Sequence, residues 1–140
     1  MARVRFHDSN TERWHEFAEL TPADKLDHFS PAELNSRIFV HEMGDDETLQ
    51  LTEVRYLPNV DIARHAHDAD EIFYLVAGEL RIGERLLVPG VSVFIARDTL
   101  YSLRAGPEGA HFLVFRPTGD LSYVPEKEWR ERSRKIASPA

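Results

Sequence analysis

The sequence predicts an all-β domain, built as an antiparallel sandwich or closed barrel. From residue 37 onward, short runs rich in β-branched and aromatic residues follow one another at close and even spacing. Turn signals rich in Gly, Pro, Asn and Asp separate these runs. No helical pattern is long enough to serve as the crossover of a βαβ unit, which argues against a parallel sheet.

The first part of the chain, residues 1–36, predicts an extension that packs on the barrel. Thr21 precedes Pro22 in "TPAD", a pattern typical of a helix N-terminus. Ser30 and Glu33 in "SPAE" form a capping-box pattern, in which the glutamate side chain returns to the backbone of the serine. We therefore expect one or two short helices here and no independent domain.

The barrel itself is predicted in residues 37–117. The strand-like runs, in order, are RIFV, TLQLTEVRYL, EIFYLVAG, ELRIG, RLLVPG, SVFIA, LYSLRAG and AHFLVFRP. Gly78-Glu79 is expected to be a turn between the third and fourth runs, and Gly106-Pro107 a turn between the last two.

A tail with a final helix is predicted in residues 118–140. The strand-like runs end at Pro117, and Pro125 is a residue type favoured at the first helical position. Trp129 and Ile136 would then lie on the buried side of this helix.

Composition and charge restrict the function classes. The chain has 140 residues, which suits one domain with one core. It has no cysteine, which excludes disulfides, thiol catalysis and zinc–cysteine sites. The net charge of −7 disfavours nucleic-acid binding, which needs a cationic face. No apolar run resembles a membrane span or a secretory signal, so we expect a cytoplasmic protein without nucleic-acid or membrane partners.

The stretch from Arg64 to Gly78, RHAHDADEIFYLVAG, contains the strongest candidate site. His65 and His67 are two residues apart, so both side chains point to the same face of a strand. Glu71 follows a short turn and begins the next strand. Two imidazoles and one carboxylate form a ligand set that suits Fe(II), Mn(II), Ni(II), Co(II) or Zn(II). The alternative is a polar, solvent-facing strand that carries two incidental histidines.

This stretch resembles the first motif of the cupin superfamily. The resemblance rests on the spacing of His65, His67, Glu71 and Gly78, with three residues before the glutamate and six before the glycine. Further along, PGVSVFIARDTLYSL (89–103) resembles the second cupin motif in position and texture. The resemblance implies an antiparallel jelly-roll barrel, which agrees with the strand pattern.

The sequence departs from the cupin motifs at several positions. Asn59 stands where the first motif has glycine, and asparagine tolerates the left-handed backbone that a turn needs there. Ala96 and Asp98 stand in place of the proline and glycine of the second motif. Tyr101 occupies the place of the histidine that is normally the fourth metal ligand. Tyr101 would ligate a metal as a phenolate, donate a hydrogen bond to a metal-bound water or substrate as a catalytic residue, or fill a barrel without metal.

Alternation along the strands predicts a pocket with apolar walls and one polar end, which suits a small, partly apolar organic substrate. Phe73 and Leu75 share the strand face of Glu71, and Tyr101 and Leu103 share a face in the second motif. A histidine at the start of the last run is a further candidate, for which a surface position is the alternative. The predicted pocket residues are Phe73, Leu75, Tyr101, Leu103 and His111.

Two functions fit these observations. The first is a metal-dependent enzyme, with His65, His67 and Glu71 as ligands and Tyr101 as a catalytic group. Resemblance to cupins implies dioxygenase, isomerase, lyase or decarboxylase chemistry, and a dioxygenase is the first expectation because three ligands leave room for substrate and dioxygen. The second is a non-catalytic cupin that binds a small ligand without requiring a metal. Cupins commonly form dimers through sheet edges, so we expect a homodimer in either case.

Overall fold

The computed structural model describes residues 2–137, which form a curled antiparallel sheet with helices near both ends. The helices are α1 (Phe17–Leu20), a 3₁₀ helix (Ala23–His28), α2 (Pro31–Leu34) and α3 (Glu126–Ala137). The strands are β1 (His15–Glu16), β2 (Arg37–Glu42), β3 (Gln50–Tyr56), β4 (Asp61–Ala66), β5 (Glu71–Ile82), β6 (Arg85–Leu87), β7 (Ser92–Ile95), β8 (Tyr101–Arg116) and β9 (Val124–Pro125). The predicted antiparallel all-β fold with short helical ends is confirmed. In the described part of the chain, no helix has the length and apolar character that crossing a membrane requires.

Strand β8 lies at the centre of the sheet. One of its edges pairs with β5 along most of its length. Its other edge pairs first with β4, where Tyr101 is the partner of His65, and then with β3. Strands β6 and β7 pair with β5. One long strand therefore holds β3, β4 and β5 around a common interior.

The interior of the curled sheet is apolar. Burial alternates along β5, which places Glu71, Phe73 and Leu75 on the inner face as predicted. The buried core consists of Val54, Val60, Ile62, Phe73, Leu75, Leu80, Leu87, Ile95, Tyr101, Leu103, Ala105, Ala110, Phe112 and Val114. Phe73 and Leu75, in the stretch that resembles the first cupin motif, are thus part of this core.

Two predicted turns are continuous strand in the structure. Gly78-Glu79 lies within β5 and Gly106-Pro107 lies within β8, so the prediction of turns is wrong at both places. The pairing register shifts next to Gly78, which has a φ of 76°. A Cβ atom at Gly78 would lie 2.3 Å from the carbonyl oxygen of Gly109. The glycine therefore permits a β-bulge and a close backbone approach between two paired strands.

The N-terminal segment (residues 2–36) covers one opening of the curled sheet. The Phe17 ring stacks on Tyr56 of β3, with centroids 5.6 Å apart. Ser30 caps α2 as predicted, because its Oγ accepts a hydrogen bond from the Glu33 backbone N–H at 3.1 Å. Thr21 is not a helix cap, because its hydroxyl donates to the carbonyl of Phe17 at 2.7 Å. One of the two predicted caps is therefore present, and the Phe17 ring ties the segment to the sheet.

The C-terminal helix α3 packs on the sheet through its first turns. It begins directly after Pro125, and the Trp129 indole N–H donates to the carbonyl of Asp98 at 3.1 Å. Ile136 is 84% exposed, so its predicted position on a buried side is wrong. The last turns of the helix carry mostly exposed residues.

Candidate functional site

A cavity of about 150 Å³ lies inside the curled sheet, beneath the N-terminal segment. Of the predicted pocket residues, Phe73, Tyr101 and Leu103 line it. Leu75 does not line it and is fully buried in the core. The apolar walls belong to β2, β3, β5 and β8, and the histidines of the first motif form part of a polar end.

His111 lies outside the cavity, in contrast to its expected place in the pocket. Its inward neighbours on β8 are Ala110 and Phe112, so strand alternation turns the His111 side chain outward. There its Nε2 lies 2.5 Å from a carboxylate oxygen of Glu53, and its ring meets Trp14 edge-on. His111 therefore connects the outer face of the sheet to the N-terminal segment.

The two histidines of the first motif come together at the cavity as predicted. The ring centroids of His65 and His67 are 4.8 Å apart, and the rings are nearly perpendicular. Nδ1 of His65 lies 2.7 Å from the carbonyl oxygen of Ala63, and Nδ1 of His67 lies 2.5 Å from that of Ser122. Because a carbonyl only accepts hydrogen bonds, each Nδ1 carries the proton and each Nε2 keeps its lone pair.

Both imidazoles are neutral at physiological pH. Burial lowers the pKa of His65 to about 4. Burial and then the positive charge of Arg116 lower the pKa of His67 to about 3. The polar end of the cavity therefore presents two hydrogen-bond acceptors, the Nε2 atoms, and no imidazolium charge.

The Glu71 carboxylate is held by side chains from β8. The Tyr101 hydroxyl donates to Oε1 at 2.5 Å, and the Arg116 guanidinium donates to Oε2 at 2.8 and 3.0 Å. The side chain of Glu71 is 1% exposed. Burial first, and the charge of Glu71 next, raise the pKa of Tyr101 well above its usual value, so its hydroxyl stays protonated. Tyr101 is thus a hydrogen-bond donor, as one of its three interpretations expected, but the acceptor is Glu71.

A loop that follows β8, here called the closing loop (residues 117–123), supports the arginine and one histidine. Arg116 donates to the carbonyl oxygen of Asp120 at 2.6 Å and lies 3.4 Å from its carboxylate. Asp120 accepts a hydrogen bond from the Ser122 hydroxyl at 2.9 Å, and the Ser122 carbonyl accepts from His67. The Tyr123 ring stacks on His65, with centroids 4.7 Å apart. The closing loop therefore fixes the polar end of the cavity.

Sequence reasoning missed three contributors to this site: Arg116, Asp120 and Tyr123. A signal for the arginine was present, because Arg116 shares strand parity with the inward-facing Phe112 and Val114. No comparable signal marks the other two, which come from a loop without periodicity. The fourth unexpected residue is Glu33, whose side chain lines the cavity instead of completing the capping box.

The predicted three-residue metal set fits this arrangement poorly. His65 and His67 suit a divalent cation, because backbone carbonyls fix their Nδ1–H groups and leave Nε2 free. Glu71 does not, because both of its oxygens accept hydrogen bonds and one of them pairs with a guanidinium that would repel a second cation. Among residues 2–137, no three His, Asp or Glu side chains converge as a metal site requires.

Comparison with known proteins identifies the fold. No protein-family model matches the sequence, and no curated protein matches it either. Among solved structures, KdgF from Halomonas sp. is similar with a TM-score of 0.60 and 19% identity over 81% of this chain and 94% of that one. An RmlC-like cupin protein from Ralstonia eutropha JMP134 is similar with a TM-score of 0.60 and 16% identity over 93% and 84%. The chain has the cupin fold.

A further similar structure is that of an enzyme. The DMSP lyase DddQ from Ruegeria pomeroyi DSS-3 matches with a TM-score of 0.57 and 23% identity over 83% of this chain and 61% of that one. At these identities the similarity concerns the cupin fold and leaves substrate and chemistry to be argued from the site. The two motif departures at turns are accommodated in this fold, because Asn59 and Asp98 both adopt left-handed backbone, with φ values of 60° and 61°.

Proposed function

We propose that this chain is a small cupin that binds a small organic molecule in its barrel cavity without a resident metal. The ligand would contact apolar walls and, at the polar end, hydrogen-bond to the Nε2 acceptors of His65 and His67. A cavity of about 150 Å³ is similar in volume to a protein cavity that binds benzene, so it suits a small organic molecule.

The observation that carries this proposal is the ion pair between Glu71 and Arg116. In a metal-binding arrangement the carboxylate would point a free oxygen at the cation. Here the guanidinium and the Tyr101 hydroxyl use both oxygens, and the Glu71 side chain is almost fully buried. A buried charge needs one partner of opposite charge, and Arg116 already supplies it.

Elemental analysis tests the metal-free site. Protein expressed with added Mn, Fe, Co, Ni and Zn is expected to hold each metal far below one equivalent, with no change in His67→Ala. The double variant Tyr101→His/Arg116→Leu frees Glu71 and adds a third imidazole, so its metal content should rise toward one equivalent. Arg130→Leu, on the exposed face of α3, is the control. Near-stoichiometric metal in the unmodified protein, lost in His67→Ala, would refute the proposal.

Ligand-observed NMR tests the cavity itself. We expect benzyl alcohol to bind the metal-free protein and to lose binding in Val114→Phe, which fills the cavity. Val114 is 7% exposed and lines the cavity, whereas Val76 on β5 is 42% exposed, so Val76→Phe is the matched control. Binding that survives Val114→Phe would place the ligand elsewhere and contradict the proposal.

A second candidate is the metal-dependent enzyme, with dioxygenase, isomerase or lyase chemistry. The specific observation in its favour is the orientation of His65 and His67, which is the one that metal-ligating histidines adopt. In this case Glu71 would have to exchange Arg116 for the cation. A metal would then supply Lewis-acid chemistry, and the elemental analysis above separates the two candidates.

We further propose that the protein is a homodimer in the cytoplasm. An apolar row crosses the outer face of the sheet, where Ile72 pairs with Phe94 on one side and Phe115 on the other. Phe94 is 63% exposed, and an exposed apolar face of this kind is typical of an interface. Light scattering should give twice the monomer mass for the unmodified protein and the monomer mass for Phe94→Asp. A monomer at high micromolar concentration would contradict the proposal.

A further inference from the structure

Glu33 is a buried acid that the sequence pattern assigned to a helix cap. It lies on α2, is 3% exposed, and lines the cavity inside the sheet. Its backbone N–H bonds to Ser30, but its side chain does not return to the Ser30 backbone. The carboxyl therefore serves no capping role and must be explained by the cavity.

The Glu33 carboxyl has no partner among residues 2–137. Burial is the sole cause that raises its pKa, to about 8, without a hydrogen bond or neighbouring charge contributing. Every fully shielded side-chain polar atom in the described part of the chain has a hydrogen-bond partner. An unpartnered carboxyl must therefore face the free space of the cavity. At pH 7 it is mostly protonated.

Of the acidic side chains that line the cavity in the described part of the chain, Glu33 is the one without a charged partner. Arg116 and Asp120 also line the cavity, but Arg116 pairs with both Asp120 and Glu71. The two histidines are neutral. An anionic ligand would find no unpaired cation on these walls. A cationic ligand would find Glu33.

Aromatic rings surround this end of the cavity. Burial first, and the charge of Glu33 next, raise the pKa values of Tyr56 and Tyr123, that of Tyr123 to about 12. Both hydroxyls therefore stay uncharged. Phe17 stacks on Tyr56, and Phe29 packs on Tyr123 with centroids 4.7 Å apart. All four rings line the cavity. Aromatic faces attract cations, most strongly where water is excluded.

We propose that Glu33 and these aromatic rings recognise an organic cation, a small molecule that carries an alkylammonium group. The inference rests on the proposed ligand-binding function and adds the chemical class of the ligand. The N-terminal segment then acts as the part of the chain that selects the ligand, because it supplies Glu33, Phe17 and Phe29. Cation binding would ionise Glu33 and release a proton.

Three probes of similar size and different charge test this inference on the 140-residue chain. They are choline, its neutral isostere 3,3-dimethyl-1-butanol and the anion 3,3-dimethylbutanoate. At pH 7 and fixed salt, we expect choline to bind about tenfold more tightly than the alcohol and the anion most weakly. Glu33→Gln should weaken choline binding about tenfold and leave the alcohol within about twofold. Glu84→Gln, in the exposed turn between β5 and β6, is the control.

A calorimetric measurement avoids dependence on a variant. If choline binding ionises Glu33, its heat must change between phosphate and Tris buffers at pH 7, since the buffer takes up the released proton. Equal heats in the two buffers, after subtraction of the heats of dilution only, would overturn the inference. Equal affinities for choline and the alcohol, or a preference for the anion, would overturn it as well. Binding of the alcohol without preference for choline would overturn it while leaving the ligand-binding function intact. Stoichiometric metal in the elemental analysis would instead remove the proposed function.

Discussion

The unpartnered Glu33 carboxyl should make the stability of the protein fall in a pH range where ordinary carboxylates no longer titrate. Burial raises its pKa from 4.5 to about 8 in the folded state. Between these values the folded state holds a proton that the unfolded state has lost. Because the folded state binds more protons, the free energy of unfolding decreases as the pH rises from about 4.5 to about 8. Glu33→Gln removes this titration and keeps the size of the side chain.

The size of the effect follows from the pKa difference. Each unit corresponds to about 1.4 kcal/mol, so the complete penalty above pH 8 is roughly 5 kcal/mol. Roughly 2 kcal/mol of this is already present at pH 6, which leaves about 3 kcal/mol to be lost between pH 6 and pH 9. The stability of Glu33→Gln relative to the unmodified protein should therefore grow by about 3 kcal/mol over this range.

Urea unfolding followed by tryptophan fluorescence at pH 6, 7, 8 and 9 measures this difference. Other titrating groups contribute equally to both proteins and cancel when the two curves are subtracted. Glu84→Gln, at an exposed position, should follow the unmodified protein at every pH. A constant difference between Glu33→Gln and the unmodified protein across the range would refute the burial of an unpaired carboxyl, and with it the argument for a cation site.

Three further substitutions probe the site and the bulge. Gly78→Ala should destabilise the protein by about 2 kcal/mol or more in a urea titration, because φ is 76° and the new Cβ would meet the Gly109 carbonyl. Gly83→Ala is the control: its φ is also positive but the space around it is open, so it measures the cost of the backbone conformation alone. Arg116→Met should lower the free energy of unfolding by about 3 kcal/mol, because it leaves Glu71 without a charged partner. The exposed Arg130→Met should lower it by only about 0.5 kcal/mol, and equal losses in the two variants would contradict a buried ion pair. Tyr101→Phe should lose about 1.5–3 kcal/mol with its hydrogen bond to Glu71, whereas Tyr74→Phe should lose little; a neutral Tyr101→Phe would show that this bond does not hold the carboxylate.

Strand periodicity carried the sequence predictions that succeeded. Alternation along β5 placed Phe73 and Leu75 inward, and the two-residue spacing of His65 and His67 brought their rings to one face. These predictions depend on local geometry, in which successive side chains of a strand alternate between its faces. The same locality made Asn59 predictable, since its left-handed backbone is a property of the residue and its turn.

Local rules failed where a distant part of the chain competed for the same residue. Gly78 looked like a turn, but pairing with β8 made it a bulge within β5. Glu33 looked like a capping-box residue, but the cavity beneath α2 takes its side chain. At Gly78 pairing with a distant strand outweighed the local turn signal, and at Glu33 the fold places a cavity beside the helix, which no local rule records.

By itself, the sequence determined the antiparallel all-β fold, the inner faces of its strands and the meeting of His65 with His67. Only the tertiary structure decided which group pairs with Glu71, the third predicted ligand. Glu71 meets Arg116 across 45 residues of sequence, and no pattern within either strand records that pairing. The physical reason is that a buried carboxylate must find a countercharge wherever the fold provides one. The sequence alone suggested a cation as that partner, and the folded chain supplies a guanidinium of its own.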